Sequence, residues 1–339
     1  MDLFTPIVDQ TAQHPNFARM MNYRNSANEE VLQEWAEGFV DRDRKFVKEF
    51  QTTFDSSFWE LYLHAVLRQV GCNIDWSHHA PDFVITDPQD FCIEATIASH
   101  AFGCIPATKS YQSPVPPDLN ELNRQAIIRL GNSFRSKFDA FQKNYSKLLH
   151  CKDKPFVLAI APFDRPYFWL QCNRAIEAFL FNYYVDEETF DRYAPDAQLK
   201  AYELLKVAKD SGAEIPLGAF SSPQFSAISA VIFSTTASWG KVRALADEPD
   251  ALSIFESYYY NPEGVMPFRS VNPKSKYTES LLDGLRVYYN PFAKYPLTPA
   301  LFRSPEVYQM FYNEQSNELV RECGSQNLLM RSLVTIKAT

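Results

Sequence analysis

Glycine is scarce, at 10 of 339 residues, while proline is plentiful at 22. That composition argues against glycine-rich phosphate loops and for many proline-defined turns. No G-x-G-x-x-G or G-x-x-x-x-G-K-[ST] string occurs, so a Rossmann dehydrogenase and a nucleotide-driven motor are disfavoured. No G-x-S-x-G occurs either, which leaves Ser-His-Asp hydrolysis without its usual nucleophile elbow. The six cysteines form no C-x-x-C pair, and in a chain of this size they read as reduced. No run of ~18 apolar residues exists, and the first ten residues, MDLFTPIVDQ, lack a basic stretch followed by an apolar one. The chain is therefore expected to be soluble and cytoplasmic. An excess of positive charge is missing too: the net charge is −8. Nucleic-acid binding would then need a local basic patch, and adhesion to anionic membranes has no support.

What is abundant is aromatic carbon, with 27 Phe and 18 Tyr. There is no internal repeat or long linker. Residues 1–28 read as a mixed segment draped over the surface, and 28–50 as helical. Residues 54–70 predict a strong helix, with Trp59, Tyr62, Leu63, Val66, Leu67 and Val70 on its apolar face. Asp55, Ser56 or Ser57 can cap it, Glu60 fits a capping box with Ser57, and Gly71 stops it. Three strand-like pieces follow at 72–76, 82–86 and 91–98, with Asp87-Pro88-Gln89-Asp90 as a turn. In 119–149, Ile127, Leu130, Phe134, Phe138, Phe141, Tyr145 and Leu148 step by three and four, an amphipathic helix. Residues 155–161 and 226–234 predict buried strands. Residues 172–184 read as helical, 186–214 as acidic and partly helical, and 305–321 as a helix.

The chemistry concentrates in Pro81-Asp82-Phe83 and Ile93-Glu94-Ala95-Thr96. Asp82 opens one strand, and Glu94 lies in the next, across a tight turn. Antiparallel neighbours lie ~4.8 Å apart, so the two carboxylates can converge on one ion. Mg²⁺ takes one or two carboxylates and keeps several waters, and Mn²⁺ is the alternative. The backbone carbonyl of Ala95 can add a ligand, and Glu60 a third carboxylate. The paired histidines His78-His79 invite a metal reading, but adjacent strand residues point to opposite faces. They read as surface residues, as does His64, while His100 follows the Glu94 strand.

This order resembles the restriction-endonuclease-like (PD-(D/E)XK) superfamily. There a helix bearing a Glu precedes a meander with a Pro-Asp, then an acidic-x-Lys element and a second helix. Here these would be Glu60, Pro81-Asp82, Glu94-Ala95-Thr96 and the 119–149 helix, over roughly residues 50–162. The resemblance implies an attacking water oriented or deprotonated by a lysine. Thr96 stands at that place and offers only a hydroxyl. Lys137, at the edge of the apolar stripe, is the best substitute, since its stem can lie on the sheet while its amine extends outward. Lys109 is a weaker one. Residues 121–154 hold eight cations against three acids, a net +5. Such a face suits a phosphate backbone, although a basic helix is commonly just a solvated one.

The expectation is an α/β fold, restriction-endonuclease-like, with a mixed central sheet flanked by helices and a helical, aromatic-rich C-terminal extension. An N-terminal helical segment (1–50), a core (51–240) and an extension packed on it (241–339) divide the chain, with a soft boundary near 240. The expected function is Mg²⁺- or Mn²⁺-dependent hydrolysis of phosphodiester bonds, with DNA as the partner. Asp82, Glu94 and Ala95 would hold the metal, and Glu60, Thr96 and Lys137 would assist. The alternatives are a catalytically inactive module of the same fold, binding nucleic acid or protein, and an interaction protein using clusters such as Tyr258-Tyr259-Tyr260. A homo-oligomer or a protein partner is also compatible with the sequence.

Overall fold

The computed structural model describes residues 1–22, 25–190, 198–313, 315–316, 318–324 and 327–335. Helices α1 (Pro15–Asn22), α2 (Ser26–Trp35), α3 (Phe46–Thr52) and α4 (Phe54–Gln69) lead into strands β1 (Asn73–Ile74), β2 (Phe83–Asp87) and β3 (Phe91–Ile97). Then come α5 (Leu119–Lys143), β4 (Phe156–Ala161) and α6 (Arg174–Phe181). Two small hairpins follow, β5 (Tyr183–Asp186) with β6 (Lys200–Glu203), and β7 (Lys206–Ala208) with β8 (Glu214–Pro216). The remainder is β9 (Ala230–Phe233), α7 (Trp239–Leu245), β10 (Ser253–Tyr259), β11 (Phe268–Pro273), β12 (Arg286–Tyr289), β13 (Tyr308–Asn313), β14 (Glu318–Glu322) and β15 (Leu328–Thr335).

Eight strands form one mixed sheet, in the order β1-β2-β3-β4-β9-β12-β13-β14. Its centre, β3-β4-β9, is parallel, while β2 runs antiparallel to β3 and β12 antiparallel to β9. Side chains alternate between two cores, as a pleated strand requires. Phe83, Ile85, Phe91, Ile93, Val157 and Ala159 join α4 on one face. Val84, Cys92, Phe156, Leu158 and Ile160 join α5 and α6 on the other. All six residues of β4 are buried, which is why its sequence is continuously apolar. Each large side chain so enclosed contributes roughly 1.5–3 kcal/mol. On the α4 face, aromatic rings run in series: Phe50 to Phe54 at 5.0 Å, Phe54 to Phe58 at 5.4 Å, and Phe58 to Trp35 at 5.6 Å.

The α/β architecture and the flanked mixed sheet agree with the sequence; several finer expectations do not. The N-terminal segment is inserted rather than draped, because Leu3, Phe4, Phe17 and Met20 are buried in the α4-side core. Thr53 precedes α4 without a side-chain cap, so the Ser57–Glu60 capping box does not form. His64 is buried, its Nδ1 2.7 Å from the Trp35 carbonyl oxygen. Residues 186–214 carry short strands where they are described; 191–197 lie outside the described residues. Beyond the end of α7 at Leu245, the regular structure of the C-terminal extension is mainly strand rather than helix among the described residues. Residues 305–321 include β13 and most of β14, and Tyr308 and Met310 alternate inward with the period of a strand. β12, β13 and β14 extend the same sheet as β2–β4, so the sheet crosses the soft boundary near 240. A second sheet, β11-β10-β15, is antiparallel. Among the described residues no helix is long and apolar enough to cross a membrane.

Candidate metal centre

The antiparallel register pairs Phe83 with Ile93. One step further along the same ladder sets Asp82 opposite Glu94. Val84 and Cys92 face α5, so Asp82 and Glu94, two residues away on each strand, share that face. The Asp82 Oδ2 accepts a hydrogen bond from the Ala95 amide at 2.7 Å. In an extended strand the N–H and C=O of one residue point toward the same neighbour. The Ala95 carbonyl is thereby directed to the Asp82 side of β3, just beyond the start of β2.

From α5, Lys137 places its Nζ 2.6 Å from the Glu94 Oε1, and the Tyr145 hydroxyl donates to the same oxygen at 3.2 Å. Glu94 is 4% exposed, so the lysine compensates a carboxylate that water hardly reaches. Thr96 is drawn elsewhere. Its Oγ1 lies 3.4 Å from the Ser133 Oγ, one helical turn before Lys137. Arg42 fixes the approach to Asp82, donating to the carbonyls of His78, Pro81 at 3.2 Å and Asp82 at 3.0 Å.

The electrostatics follow from crowding acids with few cations. Burial, then the charge of Glu94, pushes the Asp82 carboxyl up to about 7; the Ala95 amide, Lys137 and Arg42 pull the other way without prevailing. Glu60, on α4, is raised well above the usual carboxylate range, first by burial and next by Asp82. The Tyr145 phenol is also pushed up, by burial and by Glu94.

Among the described residues no group of three or more His, Cys, Asp or Glu side chains is gathered to hold a metal. The donors on offer are two facing carboxylates and one backbone carbonyl. That set fits a hard divalent cation that retains several waters, and it does not fit a closed protein cage. Burial and Glu94 shift Asp82 toward its neutral form, and a divalent charge would oppose that shift.

Of the residues singled out from sequence, Asp82, Glu94, Ala95 and Lys137 come together. Glu60 feels the charge of Asp82 from the other layer, and Thr96 turns toward Ser133. Lys109 is exposed in the 3-10 turn Ala107–Gln112. His78 stacks on His150 with centroids 3.7 Å apart and lies 3.4 Å from Asp75. Tyr145 and Arg42 were missed. Tyr145 was legible only as a member of the apolar stripe, and Arg42 only as part of the charged run DRDRKF. The basic face of 121–154 is partly spent: Arg124 binds Glu121 and Asp210, and Arg129 donates to the Ser99 carbonyl. Lys143, Lys147 and Lys152 are exposed, around the same stretch as Tyr145.

The chain matches no family model, no curated protein and no solved structure.

Proposed function

We propose that this chain is a Mg²⁺- or Mn²⁺-dependent phosphodiesterase acting on DNA, built on a restriction-endonuclease-like core. The observation that carries the reading is the facing pair Asp82 and Glu94, with the Lys137 amine 2.6 Å from Glu94. Asp82, Glu94 and the Ala95 carbonyl would hold the ion. Once bound, it would polarise a phosphoryl oxygen and lower the pKa of a water. Lys137 replaces the lysine that Thr96 lacks, orienting the water and balancing developing negative charge. Glu60, which favours its protonated form, is suited to exchanging a proton with water near the pair. The exposed Lys143, Lys147 and Lys152 offer contacts to a phosphate backbone.

Purified protein with labelled single- and double-stranded DNA and RNA tests this. The expected result is cleavage that needs Mg²⁺ or Mn²⁺ and stops with EDTA. Lys137→Ala should lower the rate by about 10²–10³-fold. The double variant Asp82→Ala, Glu94→Ala should be inactive. Absence of divalent-dependent cleavage, with the double variant indistinguishable from the wild type, overturns the proposal.

A second reading has its own support. Lys137 pairs with the Glu94 carboxylate that would hold an ion, as expected of a catalytically silent module binding nucleic acid or a protein partner. Calorimetric Mg²⁺ titration separates the two: binding without cleavage favours the module.

A further inference from the structure

A cavity of about 510 Å³ opens beyond the carboxyl ends of the parallel strands β3, β4 and β9. In open α/β sheets this is where ligands bind. Its size is that of small-molecule sites. Its walls come from the segments that leave those strands: Ser110 after β3, Tyr167 and Trp169 after β4, and Trp239 after β9. Phe58, two residues before Glu60 on α4, is also part of the lining. Glu94 and Thr96 lie upstream on β3, whose end opens to the cavity. The cavity and the carboxylate pair therefore share strand β3, the pair facing α5 and the cavity's Phe58 and Phe163 belonging to the α4-side core.

The rings are held in place before any ligand arrives. Tyr167 adopts a left-handed backbone conformation (φ +59°), which residues other than glycine seldom take. Its amide donates to the Ser110 Oγ at 3.3 Å, and its hydroxyl donates to the Ser113 carbonyl at 2.9 Å. Strain of this kind persists where the surroundings over-determine it, often at ligand clamps. Tyr167 and Trp169 lie with centroids 5.3 Å apart, and both are only partly buried, as is Trp239.

The wall also carries cations. Arg19 lines the cavity and donates to the Thr108 carbonyl at 2.7 Å. Arg331, 5% exposed, borders it; its Nη1 is paired with Glu279 at 2.8 Å, and its Nε is buried with no acceptor among the described residues, so Arg19 is the cation offered to a phosphate. Asp55, the one acid in the lining among the described residues, already accepts from Asn16 at 2.7 Å and has His14 at 3.8 Å. Aromatic faces beside positive charge are what a base with its phosphate requires.

We propose that this cavity holds an unpaired nucleobase of a single-stranded nucleic acid, clamped among Tyr167, Trp169 and Trp239, with its phosphate toward Arg19. The inference rests on the phosphodiesterase reading and specifies its substrate as a strand with at least one unstacked base.

The test is fluorescence anisotropy in EDTA with a labelled single-stranded oligonucleotide, the same strand with abasic positions, and a blunt duplex. The full chain should bind the intact strand at least about tenfold more tightly than the abasic strand or the duplex. Trp169→Ala and Trp239→Ala should each weaken it about 5- to 100-fold. Equal affinity for intact and abasic strands, or no binding of single strands, overturns the inference; this comparison uses the wild-type chain and survives a variant that fails to fold. Base-dependent binding without metal-dependent cleavage defeats only the hydrolase reading. Cleavage without base dependence defeats only the cavity.

Discussion

Asp82 bears the electrostatic penalty of the carboxylate pair, and that penalty has a definite pH signature. Its folded pKa, about 7, lies above the ordinary aspartate value. Over that interval the unfolded chain ionises more readily than the folded one. Stability contributed by this group is therefore greatest below pH ~4, falls as pH rises toward 7, and levels off above. Asn at this position keeps an acceptor for the Ala95 amide and removes the charge. Asp82→Asn should raise the melting temperature at pH 8 in EDTA by a few degrees, at about 2–4 °C per kcal/mol, and much less at pH 5. Scanning fluorimetry of both proteins at both pH values checks this; an equal shift at each pH contradicts it. At this scale the sequence was informative where spacing carried the signal. A Pro-Asp and a Glu across a short turn gave the pair, and the helical stripe put Lys137 at its edge. Arg42 acts through three carbonyls contributed by a distant loop, a relation that spacing does not encode.

At the scale of elements, α5 shows what a clean period reveals and where it stops. Its stripe predicted a helix to 149, and the helix runs to Lys143, where Asn144 ends it. The turn beyond is what lets Tyr145 reach Glu94. Within α5, Gly131 marks a close approach. A Cβ there would lie 3.0 Å from the Ile215 Cγ2 and 3.1 Å from the Phe179 ring, both buried. Helix propensity alone favours Ala by about 1 kcal/mol. The packed neighbours should reverse that sign, so Gly131→Ala should destabilise by about 1–2 kcal/mol in urea unfolding. A stabilised variant would show that α5 and α6 are less closely packed. The misread 305–321 segment fails for the opposite reason. Its aromatic residues fit a helical period and a strand period over so short a run, and only pairing with β12 decides between them.

For the whole molecule, the last hundred residues finish the sheet and also lock it. Lys241 of α7 and Arg331 of β15 both bind Glu279, the latter at 2.8 and 3.0 Å, with all three side chains buried. Burial alone would push the Glu279 carboxyl up, but Arg331 and Lys241 outweigh it and hold it below its usual range. Burial lowers the Lys241 amine. Removing the shared carboxylate strands two buried cations, so Glu279→Ala should cost about 3–5 kcal/mol by urea denaturation. A loss under about 1 kcal/mol would mean that the network is dispensable. Nothing local in the sequence announces this network, because its members are up to 90 residues apart and each resembles a surface charge. The soft boundary near 240 shares that blindness: β9 and β12 are neighbours in space across more than fifty residues.

The most direct test is a crystal of the full chain soaked in Mn²⁺, with anomalous scattering used to find the ion. One Mn²⁺ is expected between Asp82 and Glu94, about 2.1 Å from an oxygen of each and near the Ala95 carbonyl, with water completing the shell. An ion bound elsewhere, or none while Lys137 keeps its hold on Glu94, would contradict the metal centre and the hydrolysis built on it.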